Sequence, residues 1–236
     1  MNTAALGLGG LTHGLSTVEM AAAYATFPNG GIYHEPRTYV KVTASDGETV
    51  VLENEGEEHV AMKETTAYFM NTLLQGVINS GTGGSAKFSG MTIAGKTGTT
   101  TSNKDKWFVG YSPYYTAAVW VGYEQQERIP TSAYLAAQMW KKVMEPLHSG
   151  LEDQPFQKPS DLVSVSICKD SGLLANGACE LDPRGSRKTS MTFVNGDQPT
   201  QYCTCLLYTA YTRVNSTWGC GVVSKNEEEK KPSFWT

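Results

Sequence analysis

The run "WFVGYSPYYTAAVWVGYE", Trp107 to Glu124, constrains the fold more than any other stretch. It holds two short β runs, Trp107 to Tyr111 and Tyr115 to Glu124, separated by a turn at Ser112-Pro113, and so predicts an antiparallel pair. A further β run, Met91 to Gly95, precedes them. Helical patterns lie on either side. In "GLSTVEMAAAYATF", Gly14 to Phe27, Ser16 and Glu19 form a capping box, each side chain able to satisfy a free N–H at the helix start. Val18, Ala22 and Ala25 recur at helical spacing, and "PNGG" at Pro28 to Gly31 ends the helix. A second helix is predicted from Lys63 to Ile78, with Ala67, Met70, Leu74 and Val77 on one face, and a third from Ala133 to Leu147. Between the first two, Thr38 to Ala44 and Thr49 to Leu52 read as a hairpin with Asp46-Gly47 at its tip. The segment "NSGTGGSAKFSG" reads as a loop with too little apolar content to be core. The expected class is α/β, with a mainly antiparallel sheet flanked by helices.

Past Gly150 the character changes. "LEDQPFQKPSD" is polar and Pro-rich, which divides the chain into residues 1–150, a linker at 151–160 and an extension at 161–236. All five cysteines, Cys168, Cys179, Cys203, Cys205 and Cys220, fall in that extension. Clustering in a polar, Gly-rich region favours a disulfide-stapled appendage in an oxidising compartment, with one thiol left over by the odd count. A metal is the less favoured reading: Cys203-Thr204-Cys205 lacks the usual two-to-four-residue gap and has no histidine nearby. The last segment, "KNEEEKKPSFWT", reads as a disordered tail.

Composition narrows the function classes. At 236 residues, 40% hydrophobic and 18% charged, the chain has enough apolar content for a packed core. A net charge of −4 supplies no electrostatic footprint for nucleic acid. No apolar run approaches the ~20 residues of a membrane-spanning helix, and "MNTAALGLGG" has neither the basic nor the apolar part of a secretion signal. An extracytoplasmic protein of this kind would carry its targeting element and membrane anchor outside this chain.

The chemistry-bearing stretch is "MTIAGKTGTTTSNKDKW", Met91 to Trp107, which admits two readings. "GMTIAGKT", Gly90 to Thr97, satisfies the phosphate-loop pattern G-x-x-x-x-G-K-[ST]. That site needs a buried strand before it and a helix N-terminus after it. Here "SGTGGSAKFS" precedes it and "GTTTSNKDKW" follows, neither of which fits, so a nucleotide hydrolase is the remote alternative. The other reading is the K-T-G of serine acyl transferases, Lys96, Thr97 and Gly98, followed by Thr99.

The surroundings decide between them. "AGKTGTT", a polar loop containing Asp105, "WFVGYSP" and "AAVWVGYE" resemble the transpeptidase domain of class A penicillin-binding proteins, in the serine β-lactamase-like superfamily. "GLSTVEMAAAYATFPNGG", "AYFMNTLLQGVINSGTGGSA" and "AAQMWKKVM" match that family in order and spacing, from about Leu6 to Lys158. "VSVSICKDSGLLANGAC" and "FVNGDQPTQYC" resemble the C-terminal extensions some members carry. The resemblance implies a five-stranded antiparallel sheet between helices, with the K-T-G strand as one wall of the cleft. It implies a D,D-transpeptidase at the outer face of the bacterial cytoplasmic membrane. Such an enzyme takes the D-Ala-D-Ala end of a peptidoglycan stem peptide, forms an acyl-serine and passes it to an amine; β-lactams acylate the same serine. Lys96 would set a positive charge near the nucleophile and the substrate carboxylate. Thr97 and Thr99 would offer hydroxyls to that carboxylate, Gly98 would let the peptide approach the backbone, and the Thr99 N–H would serve the oxyanion. No cofactor is implied.

The family's other two motifs, S-x-x-K and S-x-N, lie before K-T-G, and neither occurs ahead of Lys96 in this chain. "SICK", Ser166 to Lys169, and Ser224 to Asn226 come after it, in the wrong order, and Ser166 sits in an alternating run that reads as a strand. The sequence therefore reads as the C-terminal half of a transpeptidase domain, whose missing N-terminal half is a required partner. Alone it is expected to be inactive. A non-catalytic module binding peptidoglycan or a partner is the alternative. His13, His34, His59 and His148 have no ligand spacing and read as surface or core histidines. Trp107, Trp120 and Trp140 read as core. Asp105 is placed near the cleft rim, with no role assigned.

Overall fold

In the computed structural model the described residues are 14–131, 133–182 and 184–204, with Gly7, residues 9–11 and two short strands at Arg213–Val214 and Thr217–Trp218. His13, Cys205, Cys220 and the Ser224 to Asn226 match lie outside them, as does the tail expected to be disordered. The chain divides into two compact units, residues 1–159 and 160–236.

In the first unit, α1 (Thr17–Ala25) begins at the expected capping box: the Ser16 hydroxyl accepts from the Glu19 N–H, and the Glu19 carboxylate accepts from the Ser16 N–H at 2.7 Å. Its first turn extends past the core, leaving Val18 exposed rather than on a buried stripe. Two small antiparallel pairs follow, β1 (Ile32–His34) with β4 (Glu58–Val60), and β2 (Lys41–Thr43) with β3 (Val50–Glu53). At the β2–β3 tip Gly47 takes φ +75°, and the Asp46 carboxylate accepts from the N–H groups of Glu48 and Thr49.

The helix α2 (Glu64–Ser80) buries Ala67, Asn71, Leu74 and Ile78. Its inner face is thus turned from the apolar stripe read in the sequence, because Asn71 is paid for by two distant partners. Its amide donates to the Phe27 carbonyl at 3.1 Å, and its oxygen accepts from the Tyr111 hydroxyl at 2.7 Å. The following loop is not peripheral: Ala86, in a 3₁₀ turn at Gly84–Ala86, and Phe88 are both buried. Few apolar residues suffice when each occupies a core position.

The central sheet is antiparallel, in the order β5 (Ala94–Thr99), β6 (Asp105–Tyr111), β7 (Thr116–Gly122). Side chains alternate between its faces. Ala94 and Tyr111 pack with Leu74, Phe156 and the partly buried Tyr24, Phe27 and Met70. Phe108 faces the other way, onto α3 (Leu135–Leu147), where it joins Ile78, Phe88, Ile93, Ala136, Ala137, Trp140 and Met144. Gly95 and Gly110 are opposite one another in register. A Cβ on Gly110 would lie 2.6 Å from Phe108 and 3.0 Å from Trp140, so the bare backbone makes room for the indole. The Trp140 Nε1–H donates to the carbonyls of Gly110 and Ala117, at 3.2 and 3.1 Å.

Where the β6–β7 turn meets the end of α3, the Ser112 hydroxyl bonds the His148 Nε2 at 2.7 Å, and the His148 Nδ1 lies 2.6 Å from the Met144 carbonyl. That carbonyl can only accept, so Nδ1 carries the proton and Ser112 donates to Nε2. The same Ser112 oxygen accepts the N–H groups of Tyr114 and Tyr115. Both side chains are buried, and His148 is a satisfied core histidine. Ser112→Ala would leave Nε2 and two N–H groups without their partner; a loss of about 1–3 kcal/mol in denaturant unfolding is expected. An unchanged midpoint would contradict it.

The Pro-rich stretch before residue 160 packs on this unit through buried Phe156, whose ring lies 5.4 Å from that of Tyr111, and through Asp153, which accepts from the Thr92 N–H.

The second unit pairs β8 (Leu162–Cys168) with β9 (Lys188–Val194) and carries a one-turn helix, α4 (Gly177–Glu180). Arg184 and Arg187 both bind the Asp170 carboxylate, and Arg184 also binds Asp182. The side chain and N–H of Arg184 hold the Asp182 carboxyl down at about 2. A depressed carboxyl stabilises the fold above its unfolded value and ceases to as it protonates in the folded state. The second unit should therefore weaken from about pH 4 toward pH 2. Amide exchange across residues 160–204 over that range checks this, and unchanged protection would contradict it.

Candidate functional site

The K-T-G residues lie on β5, which pairs with β6 on one flank and with no strand on the other among the described residues. The strand runs from Ala94 through Thr99, so the segment expected as strand, Met91 to Gly95, enters it only at Ala94. This register also removes the phosphate-loop reading. Lys96 and Thr97 stand within an extended strand, Thr99 leads into a turn, and no helix follows to present N–H groups to a phosphate.

Lys96 is exposed and its Nζ donates to the Thr97 carbonyl at 2.8 Å. Strand alternation places Lys96 and Gly98 on one face and Thr97 and Thr99 on the other. Thr97 exchanges a 2.7 Å hydroxyl–hydroxyl bond with Thr82, which lies in the loop after α2. Thr82 went unremarked in the sequence; its only signal was a hydroxyl in the Gly-rich run "SGTGG". A Cβ on Gly98 would come within 3.2 Å of the Trp107 Cβ, so the strand's bare face at this point lies close to its neighbour. Thr99 is exposed at the strand's end.

Beside the strand's far end lies a cavity of about 240 Å³, lined by Thr97, Gly98, Thr99, Asn103, Lys106 and Trp107, with α3 residues closing it. Lys106 is not an exposed cation there. It is buried, and its Nζ donates to the carbonyls of Thr131 and Ala133, at 2.6 and 3.0 Å. Asn103 turns the chain between β5 and β6 at φ +58° and accepts the Ile129 N–H on its carbonyl. Asp105 accepts from the Trp120 Nε1–H at 3.0 Å, so it steadies a tryptophan that is 40% exposed rather than core.

The late S-x-x-K match is a strand and its exit. Ser166 pairs opposite Ser190 in β8, and Lys169 lies beyond the strand, its Nζ directed at the Ser186 carbonyl. In the second unit, Cys168, Cys179 and Cys203 are thiols, and no disulfide joins them. Burial pushes the Cys168 thiol up, but the N–H groups of Ser171 and Asp170 outweigh it and hold it below its ordinary value; burial raises Cys179.

K-T-G thus stands on an edge strand, among the described residues, of a three-stranded antiparallel sheet with a helix on either face. Residues 1–145 match the family model of the penicillin-binding protein transpeptidase domain, and residues 158–207 match that of the penicillin-binding protein 1A C-terminal domain. The chain belongs to the penicillin-binding protein transpeptidase family. It is 36% identical over 191 residues to penicillin-binding protein 1A of Clostridium perfringens, covering 80% of this chain and 23% of that protein. To penicillin-binding protein 1A/1B of Bacillus subtilis it is 32% identical over 212 residues, covering 82% and 22%. The crystal structure of penicillin-binding protein 1A from Haemophilus influenzae shares the fold, with a TM-score of 0.63 at 23% identity over 80% of this chain and 33% of that one. The chain spans about a quarter of the length of the curated relatives it matches.

Proposed function

We propose that this chain supplies the substrate wall of a D,D-transpeptidase that cross-links peptidoglycan stem peptides through an acyl-serine, the serine and its base lying outside this chain. The observation that carries the reading is the K-T-G strand at the sheet's edge, with one flank unpaired by any strand among the described residues. An extended peptide adds to such a flank as a further strand, by main-chain hydrogen bonds. Lys96, which donates to the neighbouring Thr97 carbonyl, turns from it to meet the C-terminal carboxylate of D-Ala-D-Ala. The hydroxyls of Thr97 and Thr99 serve the same carboxylate, and the absence of a side chain at Gly98 lets the peptide lie close. The Thr99 N–H donates to the oxyanion of the tetrahedral intermediate. β-Lactams enter by the same wall, at the outer face of the cytoplasmic membrane.

The wall binds and orients but forms no bond. The chain incubated with penicillin should therefore show no covalent adduct by intact mass, and a shift of one penicillin would overturn this assignment of the nucleophile. The reading frame upstream of Met1 decides the rest. S-x-x-K followed by S-x-N there supports the transpeptidase; a start signal with neither motif sinks it and leaves a binding module, tested by muropeptide affinity without acylation.

A further inference from the structure

We propose that Cys168, Cys179 and Cys203 form a three-thiolate site for a divalent zinc-like cation in the second unit. They arrive from three separate places: the end of β8, the single turn of α4, and a segment bridged to Leu174. Their sulfur atoms all lie within 4.8 Å of one another, and the residues are 0%, 0% and 2% exposed. Three sulfurs bound to zinc at about 2.3 Å in a tetrahedron stand about 3.8 Å apart, so the cluster has the dimensions of one tetrahedral face. A disulfide would employ two of them and leave the convergence of the third unexplained.

The surrounding hydrogen bonds fix the chain at each thiol. Cys168 donates its N–H to the Leu173 carbonyl at 2.8 Å and accepts from Gly172 on its own carbonyl. Cys203 donates to the Leu174 carbonyl at 2.7 Å, and the Cys179 carbonyl accepts from Arg187 at 2.7 Å. Asn176 ties two of the three together: its oxygen accepts the Cys179 N–H, and its amide donates to the Cys203 carbonyl at 2.7 Å. The Cys179 sulfur receives an N–H as well, from Asn176 at 3.5 Å. Donors of that kind commonly orient and stabilise metal-bound thiolates.

The unit also requires a staple. Among the described residues of 160–204, the buried side chains are Ile167 and these three cysteines. So small a core does not hold a unit of that length by apolar burial alone, and metals are one of the standard remedies. Soft sulfur donors select zinc over magnesium or calcium. On binding, each thiol gives its proton to solvent, three sulfur–metal bonds form, and no electron is transferred. The fourth position of the tetrahedron is left to a further donor or to solvent.

The test uses the full chain, reduced and stripped of metal, titrated with Co²⁺ as a spectroscopic probe. One equivalent should bring up the visible bands of tetrahedral cobalt with thiolate charge transfer in the near ultraviolet, and Zn²⁺ should abolish both. Cys168→Ser should remove the charge-transfer intensity assigned to that ligand. Asn176→Ala, which keeps all three sulfurs, should weaken cobalt binding by roughly ten- to a hundredfold. A cobalt spectrum no different from the hydrated ion, or a disulfide joining any two of the three in the native chain, would overturn the proposal. The wild-type spectrum decides the matter even if a variant fails to fold.

Discussion

Trp140→Ala is expected to remove about 3–5 kcal/mol of stability, the range for deleting a large buried aromatic. Trp140 is fully buried, with the Phe108 ring set edge-on at 5.3 Å and Phe88 at 6.2 Å. The loss would go beyond area. The cavity would open against Gly110, which has no side chain to collapse into it, and two carbonyls would lose the indole donor. Domains of this kind are held by roughly 5–15 kcal/mol, so the first unit would approach its threshold. Trp140→Phe should recover part of the loss but not the hydrogen bonds. Denaturant titration of all three forms checks the order; a loss under about 1 kcal/mol for the alanine variant would mean that α3 contributes little to the sheet.

Lys96→Ala should do the opposite, leaving stability within about 0.5 kcal/mol while removing activity from the complete transpeptidase. The side chain is exposed and donates to one carbonyl of its own strand, so little of the fold depends on it. In the proposed reaction it supplies positioned charge, and losing one such group costs on the order of a hundredfold in rate. Lys96→Arg should not restore it, since a planar guanidinium cannot occupy the place of a compact ammonium. β-Lactam acylation of the domain joined to its upstream part, measured by stopped-flow, reads the effect. Wild-type acylation in Lys96→Ala would remove Lys96 from the mechanism.

Local signals were legible in the sequence. The Ser16–Glu19 box, the Asp46-Gly47 tip and the Ser112-Pro113 turn each depend on residues a few positions apart, and each stands where the sequence puts it. What remained hidden depends on partners far along the chain. Asn71 reads as an outward polar residue until Phe27 and Tyr111 arrive to satisfy it. Phe88 reads as loop until α3 covers it. The K-T-G motif was visible by its letters, but its strand begins three residues later than the apolar run suggests, and the Thr82 contact to Thr97 carries no sequence pattern at all. The three cysteines were visible as a cluster along the chain. Their convergence on one point follows from the β8 and α4 geometry, which spacing alone does not encode.

The backing of β5 has a further consequence. Pairing with β6 holds its other flank along the whole of Ala94 to Thr99, and α2 packs against the strand. Such a strand has already lost its conformational freedom before anything pairs with its open side. An incoming peptide therefore bears only its own ordering entropy, and affinity is set by the stiffness of the ligand rather than by that of the wall.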